Sequence, residues 1–153
     1  MAKDLINDSR QVVENFCQEK NWKFKEEDNL IYIGFKSDDQ KNIFIIVISI
    51  EEDGNFIQLM SILNVNDKFL KRSEKHYLEF CLEILNINFE KKLVKLGYHN
   101  EKGKLVCYVD MFIGSDGQLT NEQLDRLFFI MITNLNEIYN NKNIKPYLED
   151  DYE

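Results

Sequence analysis

The stretch at residues 42–50, NIFIIVISI, decides the fold, because seven of its nine residues are large and apolar. A β-strand turns successive side chains to opposite faces of its sheet, so this strand is apolar on both faces. One face carries Phe44, Ile46, Ile48 and Ile50. The other carries Ile43, Ile45 and Val47, with Ser49. A strand with one face in water alternates apolar and polar residues instead. The sequence therefore raises the question of what covers the second face.

Length and composition predict one domain. The chain has 153 residues with 44% apolar residues, 30% charged residues and a single proline, which is ordinary usage for a globular protein. A chain of this length buries about two thirds of its unfolded surface in one core. We expect a single domain over residues 1–148 and an acidic tail over 149–153, with the end of the chain from Pro146 onward frayed.

The charge and the cysteines limit the partners and the compartment. A net charge of −8 repels phosphate backbones and anionic lipid surfaces, so neither nucleic acid nor a membrane is an expected partner. The start of the chain lacks the layout of a secretory signal, and no apolar run approaches the length of a membrane span. Three cysteines without a CxxC pair suit a reducing cytoplasm.

Periodicity and turn signals give the order of the elements. Apolar residues at helical spacing predict helices over residues 3–20, 74–89 and 121–139. Ser73 is expected to cap the second helix, and Thr120 with Gln123 has the spacing of a capping box on the third. Alternating segments predict strands over 22–25, 30–35, 43–50, 56–63, 92–99 and 104–113. The fold class is α+β, in the order α-β-β-β-β-α-β-β-α.

Two hairpins give the same prediction for the sheet. Asp53-Gly54 favours a two-residue turn, and the loop NEKG at 100–103 favours a four-residue connection. The first turn predicts the pairs Ile50–Ile57, Ile48–Leu59, Ile46–Ser61 and Phe44–Leu63. The second loop predicts the pairs Tyr98–Leu105, Leu96–Cys107, Val94–Val109 and Lys92–Met111. Each hairpin then has one almost wholly apolar face and one mixed face, as expected for an antiparallel sheet with helices mainly on one face.

The mixed face is the candidate binding surface. Leaving five aliphatic side chains in water forgoes about 1.5–3 kcal/mol each relative to full burial, which approaches the stability of a whole domain. We expect another polypeptide to contact this face through Ile43, Ile45, Val47, Met60, Ile62, Tyr108 and Phe112. The competing interpretation is that the three helices divide themselves between both faces of the sheet and leave no apolar surface free.

The sequence contains no recognisable catalytic or metal-binding motif. His76 and His99 have no further ligand at metal-binding spacing on the same element, so neither a metal site nor a cofactor is expected. Cys107 and His99 would form a nucleophilic pair only if the fold joined them across the hairpin, and Cys107 is expected in the core. The acidic clusters fall in turns, and GSDG at 114–117 is expected to be a turn.

Residues 78–139, which read LEFCLEILNINFEKKLVKLGYHNEKGKLVCYVDMFIGSDGQLTNEQLDRLFFIMITNLNEIY, resemble the bacterial YbjN-like family. That family is similar in fold to type III secretion chaperones. The resembling features are the helix ending in LNINF, the hairpin LGYHNEKGKLVCYVDMF and the loop leading to LTNEQLDRL. The resemblance covers about residues 73–140 and implies a small α+β domain with a twisted antiparallel sheet, often dimeric, that works through protein contacts.

The sequence thus predicts a non-catalytic, cytoplasmic protein-binding domain, chaperone-like or a regulatory adaptor, that forms a homodimer. An alternative is a small-molecule sensor or an enzyme with a pocket between the sheet and the helices. Such a pocket would use Tyr32, Tyr98, His99 or Cys107. A third possibility is a purely structural domain without a free face.

Overall fold

The computed structural model describes residues 2–51, 54–113 and 118–149. Its helices are α1 (Ala2–Glu19), α2 (Asp67–Leu70), α3 (Glu74–Glu90) and α4 (Asn121–Tyr139), followed by a 3-10 turn at Lys145–Tyr147. Its strands are β1 (Phe24–Glu27), β2 (Leu30–Lys36), β3 (Ile43–Glu51), β4 (Phe56–Asn64), β5 (Lys95–His99) and β6 (Lys104–Phe112). The α+β class and the order of the long elements are as predicted.

The six strands form one antiparallel sheet in the order β1-β2-β3-β4-β6-β5. The register of both hairpins is as predicted, with Ile48 opposite Leu59 and Leu96 opposite Cys107. Because β5 begins at Lys95, the pairs predicted for residues 92 and 94 fall before the strand. The predicted turn residue Asp53 and the predicted turn at 114–117 lie outside the described residues.

All three long helices pack on the same face of the sheet, which we call the inner face. Its side chains are buried: Ile31, Ile33, Phe44, Ile46, Ile48, Ile57, Leu59, Leu63, Leu96, Leu105, Cys107 and Val109. Aromatic contacts tie α4 and α3 to this face. Tyr139 of α4 lies 5.8 Å from Phe44, and Phe80 of α3 lies 5.2 Å from Tyr98, measured between ring centroids. The helices therefore do not divide themselves between the two faces.

The ends of the helices follow their capping residues. The Ser73 hydroxyl accepts a hydrogen bond from the backbone N–H of His76, and Thr120 and Gln123 form the predicted capping box. The short helix α2 was not predicted, because four residues are too few to show a periodicity. Its cap is Asn66, whose side chain accepts from the backbone N–H of Phe69.

The segment around Pro146 was expected to fray, and that prediction is wrong. The backbone N–H of Asn66 donates to the carbonyl of Tyr147 at 2.7 Å, and the backbone N–H of Glu149 donates to the carbonyl of Asn64 at 2.8 Å. The Tyr147 ring is buried against Phe80 of α3, with 5.9 Å between ring centroids. Residues 145–149 thus pack beside β4 as part of the domain, since a buried aromatic ring outweighs the turn-forming tendency of the proline.

The side of α3 that faces the sheet differs from the apolar side predicted from its sequence. In the sequence, helical spacing predicts one apolar stripe of Tyr77, Leu78, Cys81, Ile84 and Leu85 that Phe80, Leu82 and Ile87 widen, whereas the structure buries Phe80, Ile84 and Ile87. Leu78 and Leu85 are exposed instead. Apolar residues lie on nearly every side of this helix, so periodicity alone does not determine which side faces the sheet. In α4, by contrast, the predicted stripe is the buried one.

Candidate protein-binding site

The face of the sheet opposite the helices, which we call the open face, has an apolar row at its centre. In this row Val47 of β3 pairs with Met60 of β4, and Met60 pairs with Tyr108 of β6. Tyr32 of β2 continues the row on one side. Lysines end it on both edge strands, Lys25 on β1 and Lys95 on β5. The row is therefore apolar in the middle and charged at its rim, which is the arrangement of many protein interfaces.

A second row beside the first combines apolar side chains with two glycines. Gly34 of β2 pairs with Ile45, and Ile62 pairs with Val106, which pairs in turn with Gly97 of β5. A Cβ atom placed on Gly97 would meet no heavy atom within 4 Å. Gly97 lines an open hollow of about 720 Å³, together with Met60, Tyr98, His99, Asn100, Glu101, Val106 and Tyr108. The hollow lies next to the apolar row.

A polar row limits the apolar surface on the other side. Gln58 pairs with Asp110 across β4 and β6, and its amide nitrogen donates to the Asp110 carboxylate at 2.9 Å. Beyond this row Phe56 and Phe112 form an aromatic pair with ring centroids 5.2 Å apart. Phe112 is thus on the open face but separated from the apolar rows by a hydrogen-bonded polar pair.

The structure places all seven predicted contact residues on the open face. Ile45, Ile62 and Phe112 are 48%, 47% and 60% exposed. The other four, Ile43, Val47, Met60 and Tyr108, are half-buried by their neighbours in the sheet. Six of the seven form one continuous surface, which we call the apolar band, and Phe112 lies apart from it. The predicted contact set did not include Tyr32, Val106 and the two glycines, although the alternation of their strands places them on the same face.

The edges of the sheet are poor sites for adding a further strand. On the β5 edge the side chain of Asn88 takes the place of a neighbouring strand. Its amide donates to the carbonyl of Leu96 at 2.8 Å and accepts from the backbone N–H of Leu96 at 2.7 Å. The β1 edge is four residues long, and Lys25, Glu26 and Glu27 are exposed on it. Short charged strands and covered edges prevent strand pairing between molecules, so the open face rather than an edge is the available surface.

The four residues considered for a small-molecule or catalytic pocket do not come together. Tyr98 and Cys107 lie on the inner face, whereas Tyr32 and His99 lie on the open face. Cys107 is fully buried, and this burial raises the pKa of its thiol to about 12. A thiol held in its protonated form is a weak nucleophile. The nucleophilic pair considered for Cys107 and His99 is therefore not formed, and Cys107 lies in the core as expected.

Tyr98 instead belongs to a polar cluster where α2, α3 and β5 meet. Its hydroxyl donates to the Asp67 carboxylate, and burial together with that carboxylate raises the pKa of Tyr98. Lys71 contacts the second carboxylate oxygen of Asp67 at 2.7 Å. The hydrogen bonds from Lys71 and Tyr98 lower the pKa of Asp67. The cluster connects α2 to the sheet, which gives it a structural role.

The contacts of Asp67 in this cluster are expected to make a small part of the free energy of unfolding sensitive to acid. Because the pKa of Asp67 is lower in the folded state, its contribution is present above the unfolded pKa of about 3.9 and is lost as the pH falls below that value. We expect Asp67→Asn to reduce the free energy of unfolding at neutral pH by about 1 kcal/mol or less, because the pair is partly exposed. Urea unfolding of both proteins should show this difference shrinking in acid. A difference that grows in acid would contradict the assignment.

Neither a metal-binding group nor a membrane-spanning helix occurs among the described residues. Within 2–51, 54–113 and 118–149, His, Cys, Asp and Glu side chains form no group of three or more that could hold a metal ion. No helix in that part of the chain has the length and apolarity needed to cross a bilayer.

The fold has relatives among solved structures. The chain matches a chain of the structure described as the HopA1-SchA chaperone-effector complex at 12% identity, with a TM-score of 0.55, over 86% of this chain and 92% of that one. It also matches an uncharacterized protein from Methanothermobacter thermautotrophicus at 12% identity, with a TM-score of 0.54, over 84% of this chain and 96% of that one. No family model and no curated protein matches the sequence. The chain is thus similar in fold to a chain of a chaperone-effector complex, and the resemblance to YbjN-like proteins stays a prediction.

Proposed function

We propose that this chain is a non-catalytic, cytoplasmic protein-binding domain, chaperone-like or a regulatory adaptor, that forms a homodimer. Its open face holds an extended stretch of another polypeptide on the apolar band. One observation carries the proposal. Ile45 and Ile62 lie on the central strands of a six-stranded sheet and yet are about half exposed, because the helices all pack on the inner face. The similarity in fold to a chain of a chaperone-effector complex supports it.

The energetics of the band favour a bound polypeptide. Full burial of an aliphatic side chain is worth about 1.5–3 kcal/mol, and the two isoleucines retain about half of their surface for a partner. The band also contains Met60 and Tyr108, residue types that are enriched at protein interfaces. An interface of this composition is held by a few apolar anchors inside a polar rim.

The hollow above Gly97 is the proposed anchor position. It lies beside Met60, Val106 and Tyr108, and a large apolar side chain of the bound segment would fill it. His99 and Glu101 also line the hollow and are exposed. Polar or charged residues next to the anchor in the bound segment would therefore remain near water. The expected binding motif is therefore an extended segment with one large aliphatic or aromatic residue at its centre.

Random peptides displayed on phage provide the test. We expect selection on the wild-type protein to enrich segments with large apolar residues, and Ile45→Glu to weaken their binding by about 1.4 kcal/mol, or tenfold, or more. Gly97→Val should also weaken binding while leaving the fold intact, because it projects a side chain into the hollow from a position where a Cβ atom meets no heavy atom within 4 Å. Phe129→Glu, a matched change of an exposed apolar residue on α4, should bind as the wild type does.

Two results would contradict the proposal. One is the absence of any enriched segment, and the other is equal binding of the enriched segments to the wild type and to both Ile45→Glu and Gly97→Val. The methyl group of Met60 provides a direct check by NMR, since it lies in the band, whereas Met131 of α4 is buried in the core. The bound segment should shift the Met60 signal and leave that of Met131 unchanged.

The alternative of a small-molecule sensor or enzyme has one observation in its favour. A hollow of about 720 Å³ lies within the size range of ligand pockets, although it opens onto the sheet face rather than between the sheet and the helices. A thermal-shift screen of metabolites distinguishes the two functions, because a ligand that binds only the native state raises the melting temperature. A shift that Gly97→Val abolishes would favour this alternative.

A further inference from the structure

The outer side of α3 carries a second exposed apolar surface. Phe80, Ile84 and Ile87 of α3 face the sheet. The opposite side exposes Leu78, Leu82, Leu85 and Phe89, whose exposed fractions are 59%, 48%, 63% and 91%. We call these four residues the α3 stripe. At 100° per residue they centre about 160° away from the buried side of the helix. The stripe is separate from the apolar band, since the sheet lies between them.

The spacing of the stripe is that of a helix-helix seam. Its residues are four, three and four positions apart, which is the alternation found where two helices pack side by side. The pattern is the same read from either end, so the stripe is complementary to itself when one helix is reversed. Contacts around a two-fold axis require such a self-complementary surface.

We propose that a second copy of this chain binds the α3 stripe, with the two α3 helices antiparallel around a two-fold axis between Leu82 and Leu85. In this arrangement Leu82 contacts Leu85 of the second copy, and Leu78 contacts Phe89 of the second copy. The inference deepens the homodimer included in the proposed function, and it assigns the dimer to α3 so that the open face stays free for the bound segment.

Charge favours the antiparallel arrangement. Lys75, at the start of α3, and Glu90, at its end, lie toward the same side of the stripe, so each lysine comes near the glutamate of the second copy. The positions that flank the stripe include the uncharged Cys81, Asn86 and Asn88 and the acidic Glu79, which contacts Lys75 of its own helix at 3.9 Å. A lipid surface is a poor occupant for a chain of net charge −8.

The area available predicts a reversible dimer. The four side chains expose on the order of 500 Å² in each copy, so the pair buries roughly 1,000 Å², the lower limit for a specific protein interface. Such a contact is expected to dissociate on dilution through the micromolar range. The dimer would then carry two open faces on its outer sides.

Sedimentation of the full chain over a dilution series tests the interface. We expect the wild type to shift from dimer to monomer, and Leu85→Glu to weaken the dimer about tenfold or more, since it places two charges near the axis. Phe129→Glu and Ile45→Glu, each a matched change of an exposed apolar residue elsewhere, should dimerise as the wild type does. Circular dichroism confirms that each variant is folded. A wild type that is monomeric throughout, or a Leu85→Glu variant that dimerises normally, would overturn the proposal.

Cysteine crosslinking tests the orientation in a Cys81→Ser background, which removes the one native thiol that is not buried. Leu85→Cys lies near the axis and should form a disulfide-linked dimer under mild oxidation. Leu78→Cys should not, because the two copies of residue 78 are separated by about 16 Å along an antiparallel pair, at 1.5 Å per residue. Equal crosslinking at both positions would overturn the antiparallel arrangement.

The two proposals fail independently. Leu85→Glu should abolish dimers while the phage-selected peptides still bind the open face. Ile45→Glu should dimerise as the wild type does and bind these peptides weakly. If Ile45→Glu dissociates the dimer and Leu85→Glu does not, the second copy lies on the open face and the assignment to α3 is wrong.

Discussion

Replacing Ile46 with glutamate is expected to unfold the protein, whereas the same replacement at Ile45, one residue earlier, is expected to leave it folded. Ile46 is completely buried on the inner face, and Ile45 is about half exposed on the open face. The Ile46→Glu change removes about 1.5–3 kcal/mol of apolar burial and adds the several kcal/mol needed to bury an unpaired charge. That total is comparable with the whole free energy of unfolding of a typical domain.

Circular dichroism and urea unfolding of the two variants check this prediction. Ile45→Glu should change the free energy of unfolding by less than about 1 kcal/mol, as surface substitutions do, and should retain the cooperative transition of the wild type. Comparable destabilisation of both variants would show that the open face is covered in solution and is not available to a partner. The comparison is sensitive because both residues are isoleucines at adjacent positions of the same strand.

The second large effect is expected for Phe128→Ala. The Phe128 ring stacks on Phe16 of α1 with 5.7 Å between centroids, and it also contacts Trp22 at 5.1 Å and Phe35 of β2 at 5.9 Å. This aromatic cluster joins α1, α4 and the sheet. Removing the ring leaves a cavity among side chains that belong to three different elements, so we expect the free energy of unfolding to fall by about 3–5 kcal/mol.

The adjacent residue provides the control for this variant. Phe129 points away from the core and is 71% exposed. Phe129→Ala should change the free energy of unfolding by no more than about 0.5 kcal/mol, because little packed surface is lost. Chemical denaturation monitored by Trp22 fluorescence measures both variants, since the indole lies in the cluster itself. Equal effects of the two changes would mean that the helix is rotated relative to the sheet.

Local patterns were sufficient for the hairpins and for the helix caps. The register of β3 with β4 follows from alternation and from a short connection, and the start of α3 follows from Ser73, whose side chain bonds a backbone N–H only three residues away. Such signals are complete within a few residues, so no long-range contact is needed to interpret them. For the same reason the strand alone predicted that Ile45 and Ile46 lie on opposite faces of the sheet.

Other features depended on contacts between distant segments. The Asn88 side chain pairs with the backbone of Leu96, and nothing in its helix indicates that an edge strand will lie beside it. The docking of Tyr147 on Phe80 joins residues far apart in the sequence. The separation of Phe112 from the apolar band required the cross-strand position of Gln58 relative to Asp110. Each of these arrangements depends on the order of strands in the sheet, which local periodicity does not contain.

The sequence by itself determined that β3 is apolar on both faces, because strand geometry sends alternate side chains to opposite sides whatever the rest of the chain does. Only the tertiary structure decided which face stays open, since that depends on α1, α3 and α4 all packing on the inner face. The same holds for α3, which is apolar on most of its circumference. Packing of Phe80 against Tyr98 fixes its rotation, and the rotation leaves Leu78, Leu82, Leu85 and Phe89 in water.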